Sequence, residues 1–327
     1  KQQHRNQPTK RELFPATQRP ERAQHASFLV GPFLFDPRTS LREAAKKSRL
    51  NRLIPRPRIA SRGFGHHRLL AMRIATWNVN SLRARMDHVQ KWLTQESPDV
   101  LCLQETKVPD SEFPTDTFAR YGYETVRAGQ KSYNGVAILA RHPITDVFVG
   151  LNGGQDEDDR RLISATVRGV RVLSAYVPNG KSLDSPSFRE KLTWLESLRR
   201  TLDLHEDPSR PLVLGGDFNV AREDRDVVDA TRMRGQIHFT DEEKAAIDRI
   251  LDFGLKDAFR LVESEGGLYS WWDYRMMGFQ KNRGMRIDYL FVSEPVARSL
   301  SRVVIDRDPR AWDKPSDHTP VVLDFEL

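Results

Sequence analysis

Polar side chains that could bind a cation or a phosphate stand where several predicted strands end. They are Asn78, Glu105, Tyr176, Asp217 with Asn219, Asp288, Asp317 and His318. Carboxylates and amides on different loops, in a chain with a single cysteine, supply the oxygen ligands that Mg²⁺ or Mn²⁺ prefers. Each residue alone has an ordinary structural explanation, such as Asp217 being a turn residue. It is the whole set that predicts a metal-binding site.

Such a set suits the hydrolysis of a phosphodiester. Water has a pKa of about 15.7 and must be deprotonated or activated by a metal before it attacks phosphorus. Asp217 is the candidate general base, held in a Gly-Gly-Asp-Phe-Asn turn. His318 could donate to a phosphoryl oxygen, while Asp288 could orient and charge that imidazole. Glu105 could anchor the metal.

The elements that position these residues alternate irregularly between strands and helices. Predicted strands cover 73–77, 99–104, 135–140, 162–167, 170–177, 211–214, 286–292, 303–305 and 320–325, and predicted helices cover 82–95, 187–204 and 241–253. Some strands are joined by hairpin-length loops and others by helices. This pattern predicts an α/β domain built on mixed sheets.

The positive charge of the chain is concentrated near its N-terminus. The 327-residue chain has a net charge of +7, but residues 1–71 hold 16 Lys and Arg against 4 Asp and Glu, which leaves 36 against 41 in the remainder. The segment 1–71 is also rich in Pro and Gln and lacks sustained apolar periodicity. We therefore predict a basic, mostly disordered extension over 1–71, with a targeting peptide or a DNA-binding arm as alternatives, and a catalytic domain over 72–327.

Neither a membrane span nor a disulfide framework is predicted. The longest apolar stretch, at 26–35, is far shorter than the roughly 20 residues that a spanning helix needs. Cys102 lies in the apolar run Val-Leu-Cys-Leu and is predicted to be a buried structural thiol. One cysteine excludes an internal disulfide and any multi-cysteine metal site. These features predict a cytoplasmic protein without a membrane partner.

Five segments together resemble the exonuclease III family of apurinic/apyrimidinic endonucleases, within the endonuclease/exonuclease/phosphatase superfamily. They are TWNVNSLRA at 76–84, LQETK at 103–107, GGDFN at 215–219, RIDY at 286–289 and SDHTP at 316–320. They occur in the family's order across about 72–327. The resemblance implies a DNase I-like, four-layer α/β sandwich, in which two packed mixed β-sheets are flanked by helices and the site lies at one end of the sheets.

The resemblance also implies an activity. The family makes a Mg²⁺-dependent or Mn²⁺-dependent incision in double-stranded DNA on the 5′ side of abasic sites and leaves a 3′-hydroxyl. Exonuclease activity in the 3′→5′ direction and 3′-phosphatase and 3′-phosphodiesterase activities on blocked 3′ ends accompany it. The expected protein is therefore a monomeric enzyme of base-excision repair, used at the bacterial nucleoid.

Roles follow for individual residues that match the family's motifs. The implied catalytic residues are Tyr176, Asp217, Asn219, Asp288 and His318, and the implied metal-binding residues are Asn78, Glu105, Asp217, Asn219, Asp317 and His318. Asn80 stands where the animal branch has Asp, so metal coordination there is expected to be weaker or through water. One ion on Glu105 and two ions shared with Asp317 both remain open.

A DNA-binding set is also predicted, partly from cations that lie next to these segments and partly from matches to the family's DNA-binding residues. It comprises Arg83, Arg85, Lys107, Asn179, Lys181, Trp271, Arg275, Met285 and Ile287. Trp271, Met285 and Ile287 resemble the wall of a pocket that admits a flipped-out deoxyribose lacking its base, although core packing is the alternative. The cations would hold the DNA backbone without contacting base edges, which makes binding salt-dependent.

Two other functions remain as alternatives. A general DNase, or a phospholipid or inositol-phosphate hydrolase of the same superfamily, would keep the acidic motifs but lack the Leu-Arg-Ala-Arg and Trp-Trp-Asp-Tyr segments. A catalytically inactive DNA-binding member is disfavoured, since every candidate acid, base and metal ligand is present.

Overall fold

The computed structural model describes residues 71–151 and 160–327. The extension predicted over 1–71 therefore lies, except for Ala71, outside the described residues. Within them the strands are β1 (Ala71–Asn78), β2 (Val100–Gln104), β3 (Glu124–Ala128), β4 (Val136–Ala140), β5 (Ile144–Val149), β6 (Leu162–Val167), β7 (Val170–Tyr176), β8 (Leu212–Asp217), β9 (Leu255–Asp257), β10 (Asp288–Ser293), β11 (Leu300–Ile305) and β12 (Val321–Glu326).

Helices of very different lengths connect these strands. They are α1 (Met86–Glu96), α2 (Thr115–Arg120), α3 (Pro186–His205), α4 (Ala230–Met233), α5 (Asp241–Leu251), α6 (Ala258–Val262) and α7 (Glu294–Arg298). Short 3₁₀ turns cover Arg83–Arg85, Asp110–Glu112, Asp224–Asp226, Arg275–Met277 and Asp308–Ala311. Among the described helices, none is both long enough and apolar enough to cross a lipid bilayer.

The strands form two mixed sheets of six strands each. The first sheet has the order β11-β12-β1-β2-β4-β3, and the second has the order β5-β6-β7-β8-β10-β9. One core fills the space between the sheets and includes Val100, Ile138, Val172 and Val213. A second core lies under α3 and α5 on the outer face of the second sheet, and a third lies under α1 on the outer face of the first. The predicted four-layer α/β sandwich is confirmed.

The strands that the sequence did not predict lie at sheet edges. They are β3, β5 and β9, and the residues of β5 and most of those of β3 are partly exposed. Edge strands carry polar and charged side chains that limit pairing with other chains, which weakens the alternation by which strands are recognised. Helix α1 begins at Met86 instead of 82, because a 3₁₀ turn at Arg83–Arg85 precedes it.

Strand direction brings the polar residues to one edge of the sandwich. The parallel pairs β1–β2 and β7–β8 place their carboxyl ends together. Asp288 does not end a strand, as the sequence suggested, but begins β10. Because β10 runs antiparallel to β8, Asp288 pairs directly with Asp217 at the end of β8. Both residues therefore face the same site.

Candidate active site

A buried amide at the end of β1 joins the two sheets at the site. Asn78 Nδ2 donates to Glu105 Oε1 at 2.8 Å and to Asp217 Oδ2 at 2.8 Å. Glu105 follows β2 in the first sheet, whereas Asp217 ends β8 in the second. One side chain thus fixes two carboxylates whose charges would otherwise repel each other.

Close packing in β8 requires the glycine at Gly216, where a Cβ would meet backbone, whereas at Gly215 a Cβ would meet the end of a leucine side chain. A Cβ on Gly216 would lie 1.9 Å from Ala175 O of the neighbouring strand, and a Cβ on Gly215 would lie 2.9 Å from Leu290 Cδ2. The Gly-Gly pair is therefore part of a strand, and the turn predicted there is wrong. Glycine allows β7, β8 and β10 to approach closely enough to bury Asp217.

His318 lies between two carboxylates. Its Nδ1 is 2.9 Å from Asp288 Oδ2, and its Nε2 is 3.7 Å from Asp217 Oδ2. Burial alone would lower the pKa of His318, but the negative charges of Asp288 and Asp217 outweigh burial and raise that pKa to about 10. The imidazole is therefore charged at neutral pH and directs an N–H donor into the site.

The surroundings of Asp217 also raise its pKa and thereby favour its neutral form. Burial raises the pKa of Asp217, and the charges of Asp288 and Glu105 raise it further, while His318 opposes them; the result is a pKa of about 7. A general base is most effective when its pKa is near the working pH. Asp217 is suited to accept a proton from water at neutral pH.

Removing the buried charge of Asp217 is expected to stabilise the metal-free protein. A carboxyl whose pKa is raised by folding contributes stability at low pH and loses it as the pH rises through about 7. At alkaline pH in EDTA, Asp217→Asn should therefore raise the Tm by about 2–8 °C, measured by circular dichroism.

Asp226 is the matched control for that prediction. It is also buried, but ion pairs with Arg286 and Arg260 lower the pKa of Asp226 despite its burial. Asp226→Asn should reduce the free energy of unfolding by about 3–5 kcal/mol. A decrease in Tm for both variants would contradict the pKa assigned to Asp217.

Asn219 and Tyr176 complete the surroundings of Asp217. Asn219 donates from its backbone N to Asp217 Oδ1 at 2.9 Å and from Nδ2 to Val177 O at 3.0 Å. Asn179 Nδ2 donates to Asn219 Oδ1 at 3.2 Å. Burial, with the nearby Glu105 and Asp217 charges, raises the pKa of Tyr176, so this phenol remains a hydrogen-bond donor.

Asp317 contacts the pocket side of the site. Its carboxylate accepts from Asn80 Nδ2 at 3.0 Å and from Trp271 Nε1 at 3.0 Å. Lys107 Nζ lies 2.8 Å from Glu105 Oε2 and donates to Asn80 Oδ1 at 2.7 Å. Burial alone would raise the pKa of Glu105, but Lys107 and the Asn78 amide outweigh it and hold that pKa below its usual range.

One cluster among the described residues has the geometry of a cation site. Ligand atoms of Glu105, Asp217 and His318 lie within 4.8 Å of one another. The two carboxylates offer the hard oxygen atoms that fit a divalent cation such as Mg²⁺, whereas Asn78 presents its Nδ2 to them and its Oδ1 accepts from Asn80 N at 2.9 Å. The charged state of His318 favours a role toward a phosphate, because an imidazolium has no free lone pair for a metal.

The predicted pocket wall forms a small apolar cluster next to the site. Met285 and Ile287 pack with Val227 and Phe239, and Trp271 packs against this group from a partly exposed position. The backbone of Trp271 also forms isolated antiparallel β-bridges with Met285 and with His318. Its neighbour Trp272 is fully buried against Phe279. Trp271 faces the site, whereas Trp272 belongs to the core.

The predicted DNA-binding cations differ in their availability. Arg83 forms an ion pair with Glu112, and Arg275 pairs with Asp273 while remaining largely exposed. Arg85 donates to three acceptors of the protein: Asn80 O, Tyr274 OH and Pro315 O. Lys181 is exposed and has a positive φ of 57°. Arg85 therefore stabilises the loops of the site.

Two ionisable residues behind the site were not predicted from the sequence. Lys191 of α3 and Glu243 of α5 are fully buried and form an ion pair. One signal was available: Lys191 shares a helix face with Trp194, Leu195 and Leu198, all of them buried. A lysine on an apolar face usually marks a specific buried contact.

Comparison with known proteins gives the family. The model of the endonuclease/exonuclease/phosphatase family matches residues 75–318. Exodeoxyribonuclease III of Haemophilus influenzae is 34% identical over 267 residues, which cover 78% of this chain and 100% of the relative. The chain belongs to the exodeoxyribonuclease III family. Four of the five motifs that carried the resemblance, and the first three residues of the fifth, lie within the matched residues 75–318.

Solved structures of family members have the same fold. The 3′ phosphatase NExo from Neisseria, bound to a product DNA hairpin, is 42% identical, with a TM-score of 0.76 over 78% of this chain and 100% of NExo. An AP endonuclease from Archaeoglobus fulgidus is 38% identical, with the same TM-score and coverage. The DNase I-like architecture expected from the sequence is therefore shared with both.

Proposed function

We propose that this protein is a metal-dependent nuclease of DNA base-excision repair. It incises double-stranded DNA on the 5′ side of abasic sites, leaving a 3′-hydroxyl, and removes phosphates and nucleotides from 3′ ends. The observation that carries the proposal is the convergence of Asn78, Glu105, Asp217 and His318 at one edge of the two sheets. Relatives named as exodeoxyribonuclease III, 3′ phosphatase and AP endonuclease support it.

The side chains divide the chemistry between them. Asp217 accepts a proton from the attacking water, and Asn219 holds that carboxylate through its backbone N–H. His318 donates from Nε2 to a phosphoryl oxygen and offsets the charge that develops there. Asp288 keeps the imidazole protonated and oriented through Nδ1. Tyr176, which pairs with Asp217, and Asn179, which bonds Asn219, provide further donors for the phosphate.

A divalent cation would be held by Glu105, with Asp217 and Asn78 beside it. When bound, Mg²⁺ or Mn²⁺ would neutralise phosphate charge and make water a stronger nucleophile. Asp317 is a weaker candidate ligand, because it is not among the residues of the described part of the chain whose ligand atoms cluster within 4.8 Å of one another, namely Glu105, Asp217 and His318.

Glu105→Gln is expected to weaken Mn²⁺ binding by at least about 10- to 100-fold. The amide retains the size of the side chain but loses the charge that attracts the cation. Binding is measured by electron paramagnetic resonance of free Mn²⁺. Asp317→Asn is the control and should weaken binding by less than about 3-fold. Equal losses in both variants would assign the ion to both carboxylates.

The apolar cluster supports a preference for damaged DNA. Trp271, Met285 and Ile287 form a wall beside the catalytic groups, and an apolar wall favours a deoxyribose that lacks its polar base. Exposed Lys181 and Arg275 would contact the DNA backbone. We infer that the chain acts on duplex DNA as a monomer.

The substrate is tested with the full chain, Mg²⁺ and three duplexes. One contains a tetrahydrofuran abasic analogue, the second has a nick with a 3′-phosphate, and the third is intact. The proposal predicts a cut on the 5′ side of the analogue, release of phosphate from the nick, and much slower attack on the intact duplex. Phosphate release without incision would limit the enzyme to 3′ ends. Equal degradation of all three would indicate a general DNase.

A further inference from the structure

Lys191 and Glu243, which have no role in the chemistry proposed above, form an ion pair that contacts the backbone of Asn219. Lys191 and Glu243 have no exposed side-chain surface. Removing two opposite charges from water costs so much that stability alone is a weak reason for such a pair. The atoms that the pair contacts indicate what it positions.

The Lys191 ammonium points at backbone carbonyls of residues in the site. Its Nζ donates to Asn219 O at 2.6 Å and to Asn179 O at 3.4 Å. Asn219 has a φ of 52°, in the left-handed region that L-residues disfavour. A charged donor on its carbonyl helps to keep the residue in this conformation.

Glu243 fixes the ammonium and the segment before α5 to one carboxylate. Its Oε1 pairs with Lys191 Nζ and accepts from His238 N at 3.1 Å, and its Oε2 accepts from Thr240 N at 3.0 Å. Thr240 Oγ1 in turn accepts from Glu243 N, which completes the capping box of α5. His238 Nδ1 also lies 2.6 Å from Asn219 O. Lys191 of α3 and His238 of the segment before α5 therefore both contact the carbonyl oxygen of Asn219.

Asn219 in turn contacts Asp217, the proposed general base. Asn219 bonds both oxygens of Asp217, from its backbone N at 2.9 Å and from Nδ2 at 3.2 Å. A change in the position of the Asn219 backbone would therefore rotate or displace the Asp217 carboxylate. A displacement of about 1 Å in a catalytic group can reduce the rate by up to 100-fold.

We propose that Lys191, held by Glu243, is a positioning residue that sets the orientation of Asp217 through the Asn219 backbone. The inference rests on the proposed function, because Asp217 is the general base only in that function. Lys191 touches neither substrate nor metal in this role. Its removal affects kcat much more than KM, since its shorter hydrogen bond is to Asn219 O at 2.6 Å, whereas its contact with the predicted DNA-binding residue Asn179 is a longer one, at 3.4 Å, to a backbone carbonyl.

The test compares four proteins on whichever duplex the native chain cleaves. Lys191→Met is combined with Glu243→Gln so that no charge is left buried alone. Lys191→Arg keeps the charge and several donors at the price of overpacking. The control is Arg171→Met with Glu206→Gln, which removes a partly buried ion pair at the start of β7, the end opposite Tyr176.

The variants should separate activity from stability. The double variant Lys191→Met with Glu243→Gln should lose about 30- to 100-fold in kcat, with KM changed by less than about 3-fold. Lys191→Arg should keep kcat within about 5-fold while its Tm falls, and the control pair should lose Tm but keep kcat. If kcat follows Tm across all four proteins, the ion pair is merely structural and the proposal is wrong.

Hydrogen–deuterium exchange tests the positioning independently of any nuclease activity. The Asn219 amide is bonded to Asp217 Oδ1, so a displaced loop should exchange faster. Peptides covering 218–220 should exchange at least about 10-fold faster in the double variant Lys191→Met with Glu243→Gln than in the native chain. In the control their exchange rate should be unchanged. An unchanged rate in both would overturn the proposal. A native chain inactive on every duplex would instead remove the proposed function, and exchange would still decide the positioning.

Discussion

Asp217→Asn is expected to lower kcat by about 1000-fold, within the range that a general base contributes. The amide keeps the size of the side chain and one oxygen that can accept from the Asn219 backbone N–H. In the native protein this N–H donates to Asp217 Oδ1 at 2.9 Å. The amide cannot take a proton from water. The rate is measured under single-turnover conditions with Mg²⁺, so that product release does not mask the chemical step.

The stability of this variant provides its own control. Because Asp217 is a buried carboxylate with a pKa raised to about 7, its replacement should leave the protein at least as stable as the native chain. A loss of activity in a more stable protein cannot result from unfolding. A kcat within 10-fold of the native value would exclude Asp217 as the base.

Asp288→Asn is expected to lower kcat by about 100-fold, and the loss should grow as the pH rises. Asp288 is the closer of the two carboxylates that raise the pKa of His318 to about 10 against the effect of burial. The native imidazole therefore stays protonated until the pH approaches about 10. Without the Asp288 charge, His318 loses its proton at lower pH and cannot donate to the phosphate.

The pH dependence of kcat distinguishes this role from a general structural one. The variant should be closest to the native rate near about pH 6 and furthest from it near about pH 9. Asp99 offers a matched control, because it contacts His142 Nε2 at 3.2 Å where β2 begins, the end of that strand opposite Glu105. Asp99→Asn should leave kcat unchanged at both pH values. A pH-independent loss in Asp288→Asn would contradict a charged His318.

The sequence predicted the central strands well and the sheet edges poorly, for a physical reason. Residues of β2, β4 and β8 are buried on both faces and form continuous apolar runs. By contrast, β3 and β5 lie at edges, carry exposed residues, and lack that signal. The polar residues at the strand ends could be predicted, because each follows or begins a strongly apolar strand.

The supporting contacts of the site could not be predicted in the same way. Lys191 and Glu243 lie 52 residues apart in sequence, and only the packing of α3 against α5 brings them together behind Asn219. The antiparallel register that pairs Asp288 with Asp217 is likewise a property of the sheet. Motif spacing identifies which residues can do chemistry, whereas tertiary packing determines which of them meet.

Hydrolysis of DNA by the strand-end residues with a divalent cation is the main function proposed for this protein. Its most direct test follows single-turnover cleavage of the tetrahydrofuran duplex by the full chain, in Mg²⁺ and in EDTA, beside Asp217→Asn. The analogue cannot undergo β-elimination, so a 3′-hydroxyl product means hydrolysis. We expect that product in Mg²⁺ but not in EDTA, and its near-complete loss in the variant. Cleavage that persists in EDTA or in Asp217→Asn would contradict it.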